Sequence, residues 1–129
     1  MGVDTPEKIT AAFERAYNSR DKGMLMALYD PDAVHTFDGN TIAKGHSAIS
    51  AAFDRGFATP LKLVGQMLSF MVSGDTALLR VQWKSRGPEE KLGNANISCE
   101  VLARGSDGLW RYVIDDATGG SRPVTLAKS

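Results

Sequence analysis

The 129-residue sequence has little cysteine, no excess charge of either sign and no long apolar run. Its single cysteine, Cys99, cannot form an internal disulfide, and its place in a strand-like run favours packing as a small hydrophobe over nucleophilic catalysis. Fifteen basic residues balance fifteen acidic ones, which argues against a general attraction to nucleic acid or anionic membranes. The sequence starts without an apolar signal core, and no run is long enough to span a bilayer. We therefore expect a cytoplasmic protein that binds neither nucleic acid nor membrane.

Patterns that hold metals or common cofactors are also missing. The two histidines, His35 and His46, lie eleven residues apart without carboxylates at ligand spacing. No glycine-rich phosphate loop leads from a strand into a helix, and there is no G-x-S-x-G elbow. We expect neither a metal nor an organic cofactor, and serine hydrolysis is set aside.

The spacing of apolar residues along the sequence changes from helical to strand-like near residue 60. Before it, apolar residues recur at helical spacing in three segments, each ended by a breaker. A short strand over residues 34–37, followed by a "DGN" turn, separates the second helix from the third. The helical segments are "DTPEKITAAFERAYNSRD", "KGMLMALY" and "KGHSAISAAFDRGFATP", the last with Ser47 as its cap.

After residue 60, strand-like runs alternate with turns. The four runs, typical of an antiparallel meander, are "LKLVGQMLSFMV", "TALLRVQWKSR", "LGNANISCEVLAR" and "LWRYVIDD". This order predicts an α+β fold in which helices cover one face of a curved sheet. The prediction is a single domain over residues 1–129, with residues 118–129 as a loose tail. A bent sheet of this kind leaves a cone open at one end, where a pocket forms.

The second run, "TALLRVQWKSR", alternates cleanly. Ala77, Leu79 and Val81 share one side with Trp83, against polar residues on the other side. The apolar side is either the core that faces the helices or a hydrophobic dimer face, and the alternation does not decide between them.

Three segments resemble the NTF2-like superfamily, in particular its SnoaL-like and ketosteroid-isomerase-like branch. "FERAYNSRDKGMLMALYDPDAVHTFDG" is similar to the family's opening helices and first strand, "GHSAISAAFDRGF" to its G-x-x-A-I helix, and "GLWRYVIDDATG" to its last strand. The resemblance implies an NTF2-like cone, with three N-terminal helices packed on a curved antiparallel β-sheet, an internal cavity and dimerisation through the sheet. It does not imply one activity, because isomerases, dehydratases, epoxide hydrolases, cyclases and non-catalytic binders share this scaffold.

The ketosteroid-isomerase mechanism does not carry over to this sequence. Those enzymes use a tyrosine on the first helix, an aspartate base on the first strand and a protonated aspartate on a later strand. The corresponding positions here are Phe13, which cannot donate a hydrogen bond, Thr36, which cannot act as a carboxylate base, and Glu100. Only Glu100 is similar in type, so the standard mechanism is not expected.

Other ionisable residues are candidates for acid–base chemistry. Glu100 lies on a polar strand face that lines either a wet cavity or an exterior surface; if it is buried, its pKa should rise and it could donate a proton. Asp115 and Asp116 end the last strand and must face opposite sides. Alignment to the family turn favours Asp115 on the cavity side, whereas apolar alternation favours Asp116; we choose Asp115. His35 is either a base or a buried histidine with satisfied nitrogens.

Together these observations predict a cofactor-free SnoaL-like enzyme, of isomerase, cyclase or dehydratase type. It is expected to be a homodimer that acts on a small hydrophobic or amphipathic molecule, with Glu100, Asp115 and His35 as catalytic residues. The predicted pocket residues are Phe13, Tyr17, Thr36, Phe53 and Phe57. The alternative is a non-catalytic ligand-binding or dimerisation module, which should have hydrogen-bonding groups, but no perturbed ionisable groups, in its cavity.

Overall fold

The chain forms a six-stranded sheet with helices packed against it, a mixed α+β arrangement. The computed structural model describes residues 2–87 and 92–121, and for residues 92–95 it describes the backbone. The elements are a 3-10 turn at Pro6–Lys8, α1 at Ile9–Asn18, α2 at Lys22–Met26, β1 at Tyr29–Thr36, β2 at Ala43–Lys44, α3 at Gly45–Phe57, β3 at Lys62–Ser73, β4 at Thr76–Arg86, β5 at Leu92–Arg104 and β6 at Trp110–Asp116.

The helices lie within the predicted segments, with two corrections: α2 ends at Met26 and not at the predicted Tyr29, and the start of α3 differs. The predicted cap at Ser47 is wrong, because Lys44 occupies the N-cap position and makes no side-chain cap bond. Gly45, the first residue of this helix, has a φ of +83°, which glycine tolerates because it has no Cβ. The five-residue α2 is capped by Asp21, whose carboxylate accepts a hydrogen bond from the amide of Met24 at 2.9 Å.

The sheet has the strand order β2-β1-β6-β5-β4-β3. Strands β3 to β6 form the predicted antiparallel meander. The prediction of a wholly antiparallel sheet is wrong, because β1 pairs with β6 in parallel. The chain between these two strands provides the long crossover that parallel pairing requires. Such pairing leaves no turn motif in the sequence from which it could be predicted. The register of β1 shifts between Tyr29 and Val34, where Pro31 is accommodated.

The core lies between the inner face of the sheet and the helices α1 and α3. Ala77, Leu79 and Val81 are almost fully buried within it, so the apolar side of β4 is the core side. Full burial of a leucine or phenylalanine side chain contributes about 1.5–3 kcal/mol. The stripe on α1 that faces this core consists of Ile9, Phe13, Ala16 and Tyr17.

The segment after β6 contacts the sheet at Gly120 and Ser121. The amide of Gly120 donates to the carbonyl of Ile97 at 2.8 Å, and the amide of Ile97 donates to the hydroxyl of Ser121 at 3.1 Å. Residues 122–129 of the predicted tail lie outside the described residues. In the two described ranges, no helix is both long enough and apolar enough to cross a membrane.

Candidate acid–base site

The sheet register places three ionisable side chains side by side. His35 on β1 pairs with Asp115 on β6, and Asp115 pairs with Glu100 on β5. The row continues through Leu79 on β4, a core residue, so its side chains point inward. Paired side chains on antiparallel neighbours lie about 4.5–5.5 Å apart at Cβ. The three residues predicted to be catalytic are therefore neighbours on the inner face.

A β-bulge in β6 turns Asp115 inward. Leu102 of β5 pairs with Tyr112 and Val101 pairs with Ile114, so Val113 is an extra residue in β6. The extra residue reverses the alternation: Tyr112 is buried, Ile114 is 47% exposed and Asp115 is buried again. Simple alternation, which favoured Asp116, fails for this reason.

The row borders a partly open, mainly aromatic cavity of about 170 Å³. His35, Glu100 and Asp115 supply its ionisable wall. The aromatic residues that line it are Phe13, Tyr17, Phe37, Phe53, Trp83 and Tyr112. An apolar cavity of about 150 Å³ holds a benzene molecule, so this one accommodates about one six-membered ring.

Asp115 is held by two groups from β1. The hydroxyl of Tyr29 donates to Asp115 Oδ2 at 2.5 Å, and His35 Nε2 lies 3.6 Å from the same oxygen. Burial raises the pKa of Asp115, while the imidazole of His35 and the Tyr29 hydrogen bond act in the opposite direction. Burial and the neighbouring Asp115 charge raise the pKa of Tyr29 well above 10, so its phenol remains a donor.

Glu100 sits at the end of a chain of hydrogen bonds. The indole of Trp83 donates to Ser98 Oγ at 3.1 Å, and the Ser98 hydroxyl donates to Glu100 Oε1. Burial, followed by the negative charge of Asp115, raises the pKa of Glu100 well above 4.5, against the lowering effect of the Ser98 hydrogen bond. Burial and the Asp115 charge therefore favour the neutral form of Glu100.

His35 is 2% exposed and packs between two aromatic rings. Its ring centroid lies 4.4 Å from that of Phe37 and 5.0 Å from that of Phe53. Burial lowers the pKa of His35 even though Asp115 is nearby, so the neutral imidazole is favoured. Its Nδ1 has no hydrogen-bond partner among the described residues.

The predicted pocket residues occupy different places. Phe13, Tyr17 and Phe53 line the cavity. Phe57 packs behind them, with its ring centroid 5.2 Å from that of Tyr17. Thr36 does not line this cavity but borders another pocket together with Asp116, and its hydroxyl accepts a hydrogen bond from the amide of Gly39.

Sequence reasoning did not assign Tyr29, Ser98 or Trp83 to the site, and it also left out Phe37 and Tyr112, which line the cavity. Tyr29 was assigned to the end of the second helix, although it is the donor to Asp115. Ser98 and Trp83 were not assigned to the site, although Ser98 lies two positions before Glu100 and must share its strand face. That spacing was the available signal for Ser98. In the part of the chain that the structure describes, no three His, Cys, Asp or Glu side chains are grouped as metal ligands.

Solved structures of the same fold come from several bacteria. A protein described as a calcium/calmodulin-dependent protein kinase type II association domain, from Thiobacillus denitrificans, is 21% identical, with a TM-score of 0.78 and coverage of 90% of this chain and 95% of that one. A ketosteroid isomerase-like protein from Erwinia carotovora atroseptica is 19% identical, with a TM-score of 0.72 and coverage of 85% and 89%. An NTF2-like protein with a cystatin-like fold, from Novosphingobium aromaticivorans, is 24% identical, with a TM-score of 0.72 and coverage of 88% and 80%.

At these identities the structural similarity shows the fold alone. No curated protein matches this chain. The sequence profile of the SnoaL-like domain matches residues 9–117, which run from the start of α1 to just beyond β6. The chain therefore belongs to the SnoaL-like domain family of the NTF2-like superfamily.

Proposed function

We propose that this protein is a cofactor-free enzyme that moves a proton within a small, partly apolar molecule held in the aromatic cavity. The observation that carries the proposal is the pairing of Glu100 and Asp115, two buried carboxyl groups on adjacent strands that face one cavity. Burying an ionised carboxylate is expensive unless the charge is paired or neutralised. A purely structural core would place apolar residues here more stably.

The two carboxyl groups suit different tasks because their environments differ. Asp115, ionised and hydrogen-bonded by Tyr29, acts as the base that removes a proton from a carbon next to a carbonyl group. Glu100, protonated and oriented by Ser98, donates a hydrogen bond to the carbonyl oxygen as it gains enolate charge. Return of the proton from Asp115 to another carbon completes an isomerisation, with no atom gained or lost.

The site differs from that of a standard ketosteroid isomerase. Its proposed base, Asp115, lies on the last strand. Phe13, at the position of the isomerase tyrosine, lines the cavity but has no donor. Thr36, at the position of the isomerase base, borders a different pocket. The cavity volume of about 170 Å³ suits one small ring and is too small for a four-ring steroid. The proposed substrate is therefore a compact ketone or enone.

Hydrogen exchange in D₂O tests this function. Small cyclic ketones and enones are incubated with the protein, and loss of the α-hydrogen signal is followed by proton NMR. We expect exchange above the buffer rate that falls at least about 100-fold in Asp115→Asn and in Glu100→Gln, within the range typical of positioned acid–base groups. Asp116→Asn is the matched control, since Asp116 is the next residue in the strand but does not line the cavity.

Two results would contradict the function. One is an exchange rate in the wild type no higher than in Asp115→Asn for every compound. The other is equal loss in Asp116→Asn, which would indicate a general effect on the sheet. Binding of these compounds without exchange would support a non-catalytic ligand-binding module instead.

We further propose that two copies associate through the outer face of the sheet. Paired positions form an apolar row across four strands on that face: Met71, Leu78, Val101 and Ile114. Met71 is 64% exposed and Ile114 is 47% exposed in the single chain. An apolar row of this kind favours burial against a second, identical row, as in the isologous interfaces of twofold dimers.

A further inference from the structure

A larger groove of about 690 Å³ adjoins the aromatic cavity on the side of α3. His35 and Phe37 border both spaces, so the groove and the cavity meet at these two side chains. Phe37 is 44% exposed, which is unusual for a phenylalanine packed against a core ring. Apart from Arg55, the wall that α3 contributes is made of small residues that permit close approach of a ligand: Ala48, Ala51, Ala52 and Gly56.

The groove contains one cationic side chain, Arg55. In the described part of the chain Arg55 forms no ion pair, and the adjacent Asp54 is bound to Lys22 at 2.7 Å. Asp38 also borders the groove, but its Oδ1 accepts hydrogen bonds from the backbone amides of Asn40 and Thr41 at 2.8 and 2.9 Å. The guanidinium of Arg55 is thus the charged group whose donors are available to a ligand.

A second observation also points to a ligand at this place. His35 Nδ1 is buried and has no hydrogen-bond partner among the described residues. Leaving a buried polar atom without a partner is unfavourable, so most such atoms in folded proteins are satisfied. His35 borders both spaces, so this unpartnered nitrogen belongs to a side chain in the wall between the groove and the cavity.

We propose that the groove binds the anionic head of the substrate, and that the substrate is a small carboxylic acid whose apolar end passes Phe37 into the cavity. The planar guanidinium of Arg55 matches a carboxylate with two parallel hydrogen bonds. A singly charged head fits better than a phosphate, because the groove supplies one cation and also carries the Asp38 carboxylate. This inference rests on the proposed function, since it assigns the cavity to the reacting end of the same molecule.

Calorimetric titration with matched probes tests the inference. The probes are 4-phenylbutyrate, its neutral amide, and toluene, which has no head group and reports on the inner cavity alone. We expect the acid to bind about tenfold more tightly than the amide, a difference of about 1.4 kcal/mol. In Arg55→Gln that preference should disappear, whereas toluene should still bind. In Arg15→Gln, which removes an exposed arginine from α1, the preference should remain.

Further variants separate charge from shape. Arg55→Lys keeps the charge without the fork of donors, so it should retain part of the preference for the acid. Ala51→Phe should fill the groove and weaken binding of both the acid and the amide, but not of toluene. Equal binding of acid and amide by the wild type, or an unchanged preference in Arg55→Gln, would overturn the inference. If toluene still bound in that case, the proposed function would survive; if no probe bound, both would fail.

Discussion

Replacing Glu100 by glutamine tests the electrostatics of the site through the pH dependence of stability. In the unfolded chain this carboxyl ionises near 4.5, whereas burial and the Asp115 charge keep it protonated to a much higher pH in the folded protein. As the pH rises above 4.5, ionisation lowers the free energy of the unfolded state but not that of the folded state. The wild type therefore loses stability through this group until the pH reaches its raised folded pKa.

The magnitude follows from the one proton involved. The free energy of unfolding changes by about 1.4 kcal/mol per pH unit over the window in which one state is ionised and the other is not. Glu100→Gln has no proton to lose, so its stability relative to wild type should rise by about 1.4 kcal/mol per pH unit above 4.5. His35 acts with the opposite sign, because its lowered pKa makes stability fall as the pH drops through 6.5. The difference between the two proteins isolates Glu100 from this effect.

Urea denaturation followed by tryptophan fluorescence at pH 5, 6 and 7 measures the effect. The comparator is Ser98→Ala, which keeps the carboxyl and removes the hydrogen bond that lowers its pKa. The wild-type slope should therefore persist in Ser98→Ala and extend to higher pH. A free-energy difference between wild type and Glu100→Gln that stays constant from pH 5 to pH 7 would refute the assignment of Glu100 as a buried neutral acid.

Three further changes test separate parts of the structure. Tyr29→Phe removes the donor to Asp115, so the free energy of unfolding should fall by about 1–3 kcal/mol in urea denaturation. Loss of this hydrogen bond raises the pKa of the Asp115 base, so the acidic limb of the pH–rate profile should move to higher pH, and an unmoved limb contradicts the role. Ile114→Glu should disrupt the proposed dimer in sedimentation experiments, and an unchanged molecular mass would refute the apolar row as the interface. Gly65→Ala should lower the free energy of unfolding by about 1–3 kcal/mol, because the new Cβ would lie 2.5 Å from the Trp83 ring. Unchanged stability and tryptophan fluorescence would contradict this and show that the ring moves freely.

The sequence was sufficient for the meander and for the family, because strand alternation and turn residues are local signals. It was not sufficient for the parallel contact between β1 and β6, since nothing in either strand encodes a partner so distant along the chain. Tyr29 illustrates the consequence. It follows an apolar helical pattern and precedes Asp30-Pro31, so it was assigned to a helix end, whereas the pairing with β6 makes it the first residue of a strand.

The candidate site shows the same limit at the level of one residue. The family alignment favoured Asp115 and the alternation favoured Asp116. The two disagree because Val113 forms a bulge, which alternation alone cannot reveal. The contact between Ser98 and Glu100 is more accessible to prediction, because residues two positions apart in a strand share a face.

The central claim is that Glu100 and Asp115 divide the roles of acid and base in one cavity, and carboxyl ¹³C NMR titration tests it most directly. Signals are assigned with Glu100→Gln and Asp115→Asn. The structure predicts that Asp115 loses its proton first and that Glu100 remains protonated well above pH 4.5, because it is buried and lies next to the Asp115 charge. A Glu100 signal that titrates near 4.5, or one that titrates before Asp115, would contradict the account.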